Sequence, residues 1–201
     1  SYDRTLEDIF AVQDDIAQSV VNELRAKLLG VEADAAASAR AKVQVLAASR
    51  GRTRNAQAHE LVLQGRFLID RHARDDTGTG IGYLRQALEL DPDYALAWAG
   101  LAGAYSNQAG YGWAPLDATF ELARNAARHA LELEPDLAEA HAELAWVRMT
   151  YDRDWRGAEE SYRRALQLGS GNRAIVANAS LLADNRGRKD DAVALARRAV
   201  E

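Results

Sequence analysis

His59, His72, His129 and His141 are the first candidates for chemistry, because imidazole is the commonest metal ligand and the usual proton carrier near neutral pH. Their separations match no metal-ligand spacing, and no zincin or nucleophile-elbow phrase surrounds them. His141 falls on the packing face of a predicted helix, which makes it a core or boundary residue. Asp152 and Asp154, one residue apart beside Trp155, could act as an acid–base pair. Placed just ahead of a predicted helix, they are expected to cap it and satisfy its free N–H groups. Gly78, Gly80 and Gly82 resemble a phosphate loop only superficially, since no strand precedes them and no Lys follows. The expectation there is a loop leading into a Gly-rich, fraying helix start. Arg40, Lys42, Arg50, Arg52 and Arg54 form a basic stretch with no interleaved aromatic for stacking on bases. It is expected to be a solvated linker, with docking on the acidic residues Glu7, Asp8, Asp14 and Asp15 as the alternative. No catalytic centre, metal site or cofactor site is expected.

What must position any binding residue is a set of helix pairs. The phrase Ala87-Leu88-Glu89-Leu90-Asp91-Pro92 returns as Ala130-Leu131-Glu132-Leu133-Glu134-Pro135 and, in worn form, as Ala165-Leu166-Gln167-Leu168-Gly169-Ser170. Each time a helix ends, Pro or Gly forbids its continuation, and an Ala-rich helix begins again. Units that cannot bury their apolar faces singly must stack on their neighbours as an open solenoid. Such a surface binds rather than catalyses. Upstream, Leu6, Ile9, Phe10, Ile16, Val20, Leu24 and Leu28 follow the spacing of one helix face over residues 5–29, capped by Thr5 and ended by Gly30.

The register is measurable. Thirty-four residues separate Ala158 from Ala192 and Ala165 from Ala199, whereas Pro92 and Pro135 stand 43 apart, nine more than one period. The surplus is expected between the helices of the second unit, in residues 106–119, with a smaller one in 71–79. The Leu-Glu-Leu-Asp-Pro and Leu-Glu-Leu-Glu-Pro phrases together with this period resemble the tetratricopeptide repeat family over residues 58–201. The expected fold is an all-α, α-α superhelix of about four helix pairs preceded by an N-terminal helical extension. Its parts are an extension over 1–50, a linker over 51–57 and an array over 58–201, with units at 58–94, 95–137, 138–172 and a truncated 173–201. A narrower resemblance lies in Ser1-Tyr2-Asp3-Arg4, Leu6-Glu7-Asp8-Ile9-Phe10 and Tyr151-Asp152-Arg153-Asp154-Trp155. The first two look like the helix joining a TolB-like segment to C-terminal repeats in bacterial signalling proteins, and the third is similar to a phrase in those same repeats. The resemblance implies a regulatory or adaptor region beside an effector such as a class III adenylate cyclase or a winged-helix regulator, and a fragment of a longer chain.

In stacked pairs the first helix of each unit lines the concave side. The offset from the packing stripe assigns Val62, Arg66 and Ile69 in unit one and Ala99, Gly103 and Asn107 in unit two. Unit three offers Glu143, Trp146 and Met149; unit four offers Asn178, Leu181 and Asn185. From these the partner groove is expected to use Arg66, Asn107, Glu143, Trp146, Met149, Asn178 and Asn185, with Trp146 and Met149 as the apolar anchor and Asn side chains holding an extended backbone. Packing inside the solenoid is the competing role for Trp146. A clamp for a C-terminal carboxylate is not expected, because the matching places hold mostly Ala, Gly, Leu and Glu. Tyr111 and Trp113, in the insertion, either form a second contact surface or fold down over the helices of unit two.

Composition narrows the classes further. At 48% hydrophobic and 27% charged residues the chain can bury a sizeable core, so disorder is not expected. A net charge of −5 gives no reason to expect nucleic acid or an anionic membrane as partner. The absence of cysteine removes disulfides and thiolate metal sites, and no apolar run reaches the ~20 residues of a membrane span. The expected role is a non-enzymatic, cytoplasmic or periplasmic module that binds a protein or peptide, with homodimerisation as the alternative.

Overall fold

Leu90, Leu133 and Leu168 each end a helix, and the chain re-enters a helix five residues later by the same turn every time. In the first copy the Tyr94 N–H donates to the Asp91 carbonyl, in the second Leu137 to Glu134, and in the third Asn172 to Gly169, at 3.2, 3.1 and 3.0 Å. The computed structural model describes residue 51 and residues 53–200. The helix expected over residues 5–29 and most of the basic stretch lie outside them.

Among the described residues there are α1 (Ala56–Ile69), α2 (Arg74–Leu90), α3 (Ala95–Gly110), α4 (Leu116–Leu133), α5 (Ala138–Val147), α6 (Trp155–Leu168), α7 (Arg173–Asn185) and α8 (Lys189–Val200). A π-turn, Arg148–Asp152, joins α5 to α6, and no strand occurs among the described residues. Helices pack as pairs in chain order, and α3 also touches α1 and α5, while α5 touches α7. First helix against first helix is the contact pattern of an α-α superhelix of four pairs, each covering what its neighbour leaves bare.

Alanine makes the close packing feasible, because helix axes can draw together only where no long side chain stands at the crossing. Ala58, Ala87, Ala102, Ala123, Ala127, Ala140, Ala145, Ala158 and Ala165 are all fully buried. Tyr94, Leu84, Val147 and Tyr162 fill the spaces between them.

Several local expectations are corrected. Val62 belongs to the core with Ala58 and Gly65, whereas Ile69 is buried in the same core and also lines the concave side as expected. Helix α1 starts at Ala56, inside the expected linker, because the Asn55 side chain accepts the N–H groups of Gln57 and Ala58 at 3.1 Å. Gly51 is also engaged: its carbonyl accepts the Leu96 N–H at 3.0 Å, serving a donor in the first turn of α3. The Gly-rich segment is no loop. Helix α2 begins at Arg74, and Gly80 lies against Gly65 so closely that a Cβ on Gly80 would come within 2.7 Å of the Gly65 carbonyl oxygen. The nine-residue surplus is mostly added helix, with α3 running to Gly110 and α4 starting at Leu116 after Pro115 as N-cap. Asp154 caps α6 by accepting the Gly157 N–H at 2.9 Å, but Asp152 pairs instead with Arg124 of α4.

Candidate functional site

Helices α1, α3, α5 and α7 each turn one face into a shared trough of about 440 Å³. Its position follows from the turns that open these helices. Trp98 Nε1 donates to the Pro92 carbonyl at 2.9 Å, and His141 Nε2 lies 2.9 Å from the Pro135 carbonyl, six residues upstream in each case. The two rings thus hold equivalent corners, and this is the structural role of His141. At α7 the corner is held by Asn172, which accepts the Ala174 and Ile175 N–H groups. Its amide also donates to Glu139 Oε1 at 3.5 Å.

Of the residues expected in the groove, Arg66, Asn107, Glu143, Trp146 and Asn178 line this one cavity. Met149 does not: the π-turn rotates it into the core of the last two pairs, where it is buried with Tyr162 and Ala179. Asn185 sits exposed at the end of α7, outside the lining. Trp146 is half-buried, resting on the same core while one side faces the groove. Tyr111 lines the far end, stacked on Trp113 with centroids 4.6 Å apart and with His72 beyond it at 6.1 Å.

The groove also contains residues the spacing argument passed over. Glu139 lies one turn before Glu143 and two before Trp146, and extending that face N-terminally would have found it. Ser106 is buried in the lining with a hydroxyl that has no hydrogen-bond partner among the described residues. Nothing in its sequence context announces this, since the consequence depends on what faces it.

Glu143 dominates the electrostatics. Its carboxyl lies over Gly103, where a Cβ would come within 3.1 Å of Oε1. Burial pushes its pKa up to about 7, attraction from Arg66 opposes that rise, and Glu139 adds to it. The Tyr162 hydroxyl, its pKa raised by burial and by the Glu143 charge, is enclosed nearby without a partner among the described residues. The arrangement can hold polar and cationic groups. Among the described residues no three His, Cys, Asp or Glu side chains are grouped to hold a metal, and no helix is long and apolar enough to cross a membrane.

No family model matches the chain. A putative adenylate cyclase 3 from Rhizobium meliloti (strain 1021) is 35% identical over 101 residues, half of this chain but 15% of that protein. The crystal structure of TTC0263, a thermophilic TPR protein in Thermus thermophilus, matches with a TM-score of 0.61 and 20% identity, covering 80% of this chain and 87% of that one. The crystal structure of MamA gives 0.46 at 19% identity, covering 85% and 95%. The likeness to the Thermus protein is one of fold, and the helix pairs here stack as tetratricopeptide repeats do.

Proposed function

We propose that this chain is a non-enzymatic module whose concave groove holds an extended protein or peptide segment, as a regulatory region of a longer bacterial signalling chain. The observation that carries the reading is the shared trough itself. Four successive first helices contribute to it, and its lining combines a half-buried Trp146 with the amides of Asn107, Asn172 and Asn178. Side-chain amides offer both donors and acceptors, which suits the alternating N–H and C=O groups of an extended backbone. The similarity to part of a putative adenylate cyclase supports the signalling context, in which a 101-residue match would be an accessory stretch and not the catalytic one.

Panning a phage-displayed library of random twelve-residue peptides against the chain tests this. Binders are expected whose retention is lost on Trp146→Ala and on Asn178→Ala, with the far-ultraviolet circular dichroism of both variants unchanged. Binders indifferent to both substitutions, or none at all, would reject the groove.

Self-association is a second reading, favoured by Val193 and Val200, which stand exposed seven residues apart on one face of α8. It expects a mass that doubles with concentration in light scattering and a return to monomer on Val193→Glu.

A further inference from the structure

Glu139, Glu143 and Trp146 are spaced by four and three residues along α5 and line the groove together. Opposite Glu143 stands Gly103, which has no side chain to answer it. One turn further along α3 Asn107 lines the same groove. Glu143 itself makes no hydrogen bond or ion pair among the described residues. A half-buried carboxylate left alone is costly, and the cost falls when a cation with its own hydrogen-bond donors is brought to it. The chain does not bring one close enough. Arg66 is the one permanent cation in the lining against Asp70, Glu139 and Glu143, and it lies beyond ion-pairing distance of Glu143. The remaining titratable groups facing this region are His72, after α1, Tyr111, after α3, and Tyr162, from α6.

We propose that the groove selects protein segments carrying an arginine or lysine, whose cationic head sits between Glu139 and Glu143 and against the Trp146 ring. Asn107 then meets the segment's backbone one turn away. The inference rests on the peptide-binding reading and adds the chemistry of the occupant. Two things converge on it: negative charge left over in the lining, and beside it the Trp146 ring, of the kind that attracts cations. The raised pKa of Glu143 fits a carboxyl waiting for a counter-charge.

The test uses the groove-dependent twelve-residue peptides from the panning, resynthesised with a fluorescent label and titrated against the 201-residue chain. A recurrent Arg or Lys is expected among them, and its replacement by norleucine should weaken binding at least tenfold. Glu143→Gln, which keeps the shape of the side chain, should weaken the parent peptide at least tenfold and leave the norleucine peptide unaffected. Affinity for the parent peptide should rise from pH 6 to pH 8 in the wild type more steeply than in Glu143→Gln, His72 being present in both. Groove-dependent peptides with no recurrent basic residue, or equal affinity for wild type and Glu143→Gln, would overturn the inference while leaving the groove as a peptide site. The absence of any groove-dependent peptide would overturn both.

Discussion

Gly65 and Gly80 face each other across the first helix pair with nothing between them. A Cβ on Gly65 would come within 2.9 Å of the Gly80 carbonyl oxygen, and one on Gly80 within 2.7 Å of the Gly65 carbonyl oxygen. Both obstacles are backbone, which cannot swing aside as a side-chain end would.

The contact predicts opposite effects for two glycines in one helix. Ala normally stabilises a helix interior over Gly by about 1 kcal/mol, so Gly78→Ala, at an exposed site with open space around it, should raise stability by ~0.5–1 kcal/mol. Gly80→Ala gains the same propensity but forces α1 and α2 apart, with an expected net loss of about 1–3 kcal/mol. Urea unfolding followed by circular dichroism measures both. If the two substitutions shift the midpoint the same way, the close approach is not present in solution.

This pair also marks where sequence reasoning stops. Helix ends were legible because Pro92 and Pro135 act locally, through a missing N–H. Gly80 was misjudged because its value lies in Gly65, fifteen residues back, and propensity counts only the residue itself. In α1 the apolar residues Leu61, Val62, Leu68 and Ile69 stand in adjacent pairs, so spacing alone cannot choose which of each pair turns inward. Arg66, as a charge, had to face out and was placed in the groove from sequence. Met149 was misplaced for a different reason: the π-turn over Arg148–Asp152 breaks the 3.6-residue period on which its position was counted. Glu143 was found, but its isolation was not, since that depends on Gly103 in another repeat.

Glu143 should leave a signature in stability against pH. Its folded pKa of about 7 lies above the value of 4.5 for the free side chain, so between those values the folded state holds more protons than the unfolded one. Stability therefore falls as pH rises through this window and levels off above it. Glu143→Gln removes the ionisable group, so the variant should match the wild type near pH 4 and exceed it by about 1–3 kcal/mol at pH 8. Denaturant unfolding of both proteins at the two pH values checks this. A difference independent of pH would mean that Glu143 ionises freely.

Arg153 holds a left-handed backbone at φ 58°, between the π-turn and α6, and its side chain is exposed. A non-glycine residue there costs about 1–2 kcal/mol, and part of that returns with glycine after its greater loss of freedom on folding is counted. Arg153→Gly is expected to gain ~0.5–1 kcal/mol, while Arg153→Ala, which keeps the steric penalty, should be near neutral. Thermal melts of the two variants separate these outcomes, and equal melting temperatures would remove the argument from backbone strain.

Tyr162 gives the sharpest separation between packing and polarity. Its ring is among the largest fully buried groups and joins α6 to the core beneath α5 and α7, so Tyr162→Ala should cost about 3–5 kcal/mol. Its hydroxyl, by contrast, has no partner among the described residues, and burying such a group unsatisfied costs about 1–3 kcal/mol. Tyr162→Phe keeps the ring and deletes the orphan, so it should be neutral or stabilising by up to about 1 kcal/mol, unlike an ordinary buried tyrosine. Both values come from denaturant unfolding of the two variants beside the wild type. A loss of more than about 1 kcal/mol on Tyr162→Phe would show that the hydroxyl is bonded in solution, with Glu143, whose charge it already senses, as the acceptor. In that event the carboxyl in the groove would be satisfied from behind by α6, and its pull on a ligand cation would be correspondingly weaker.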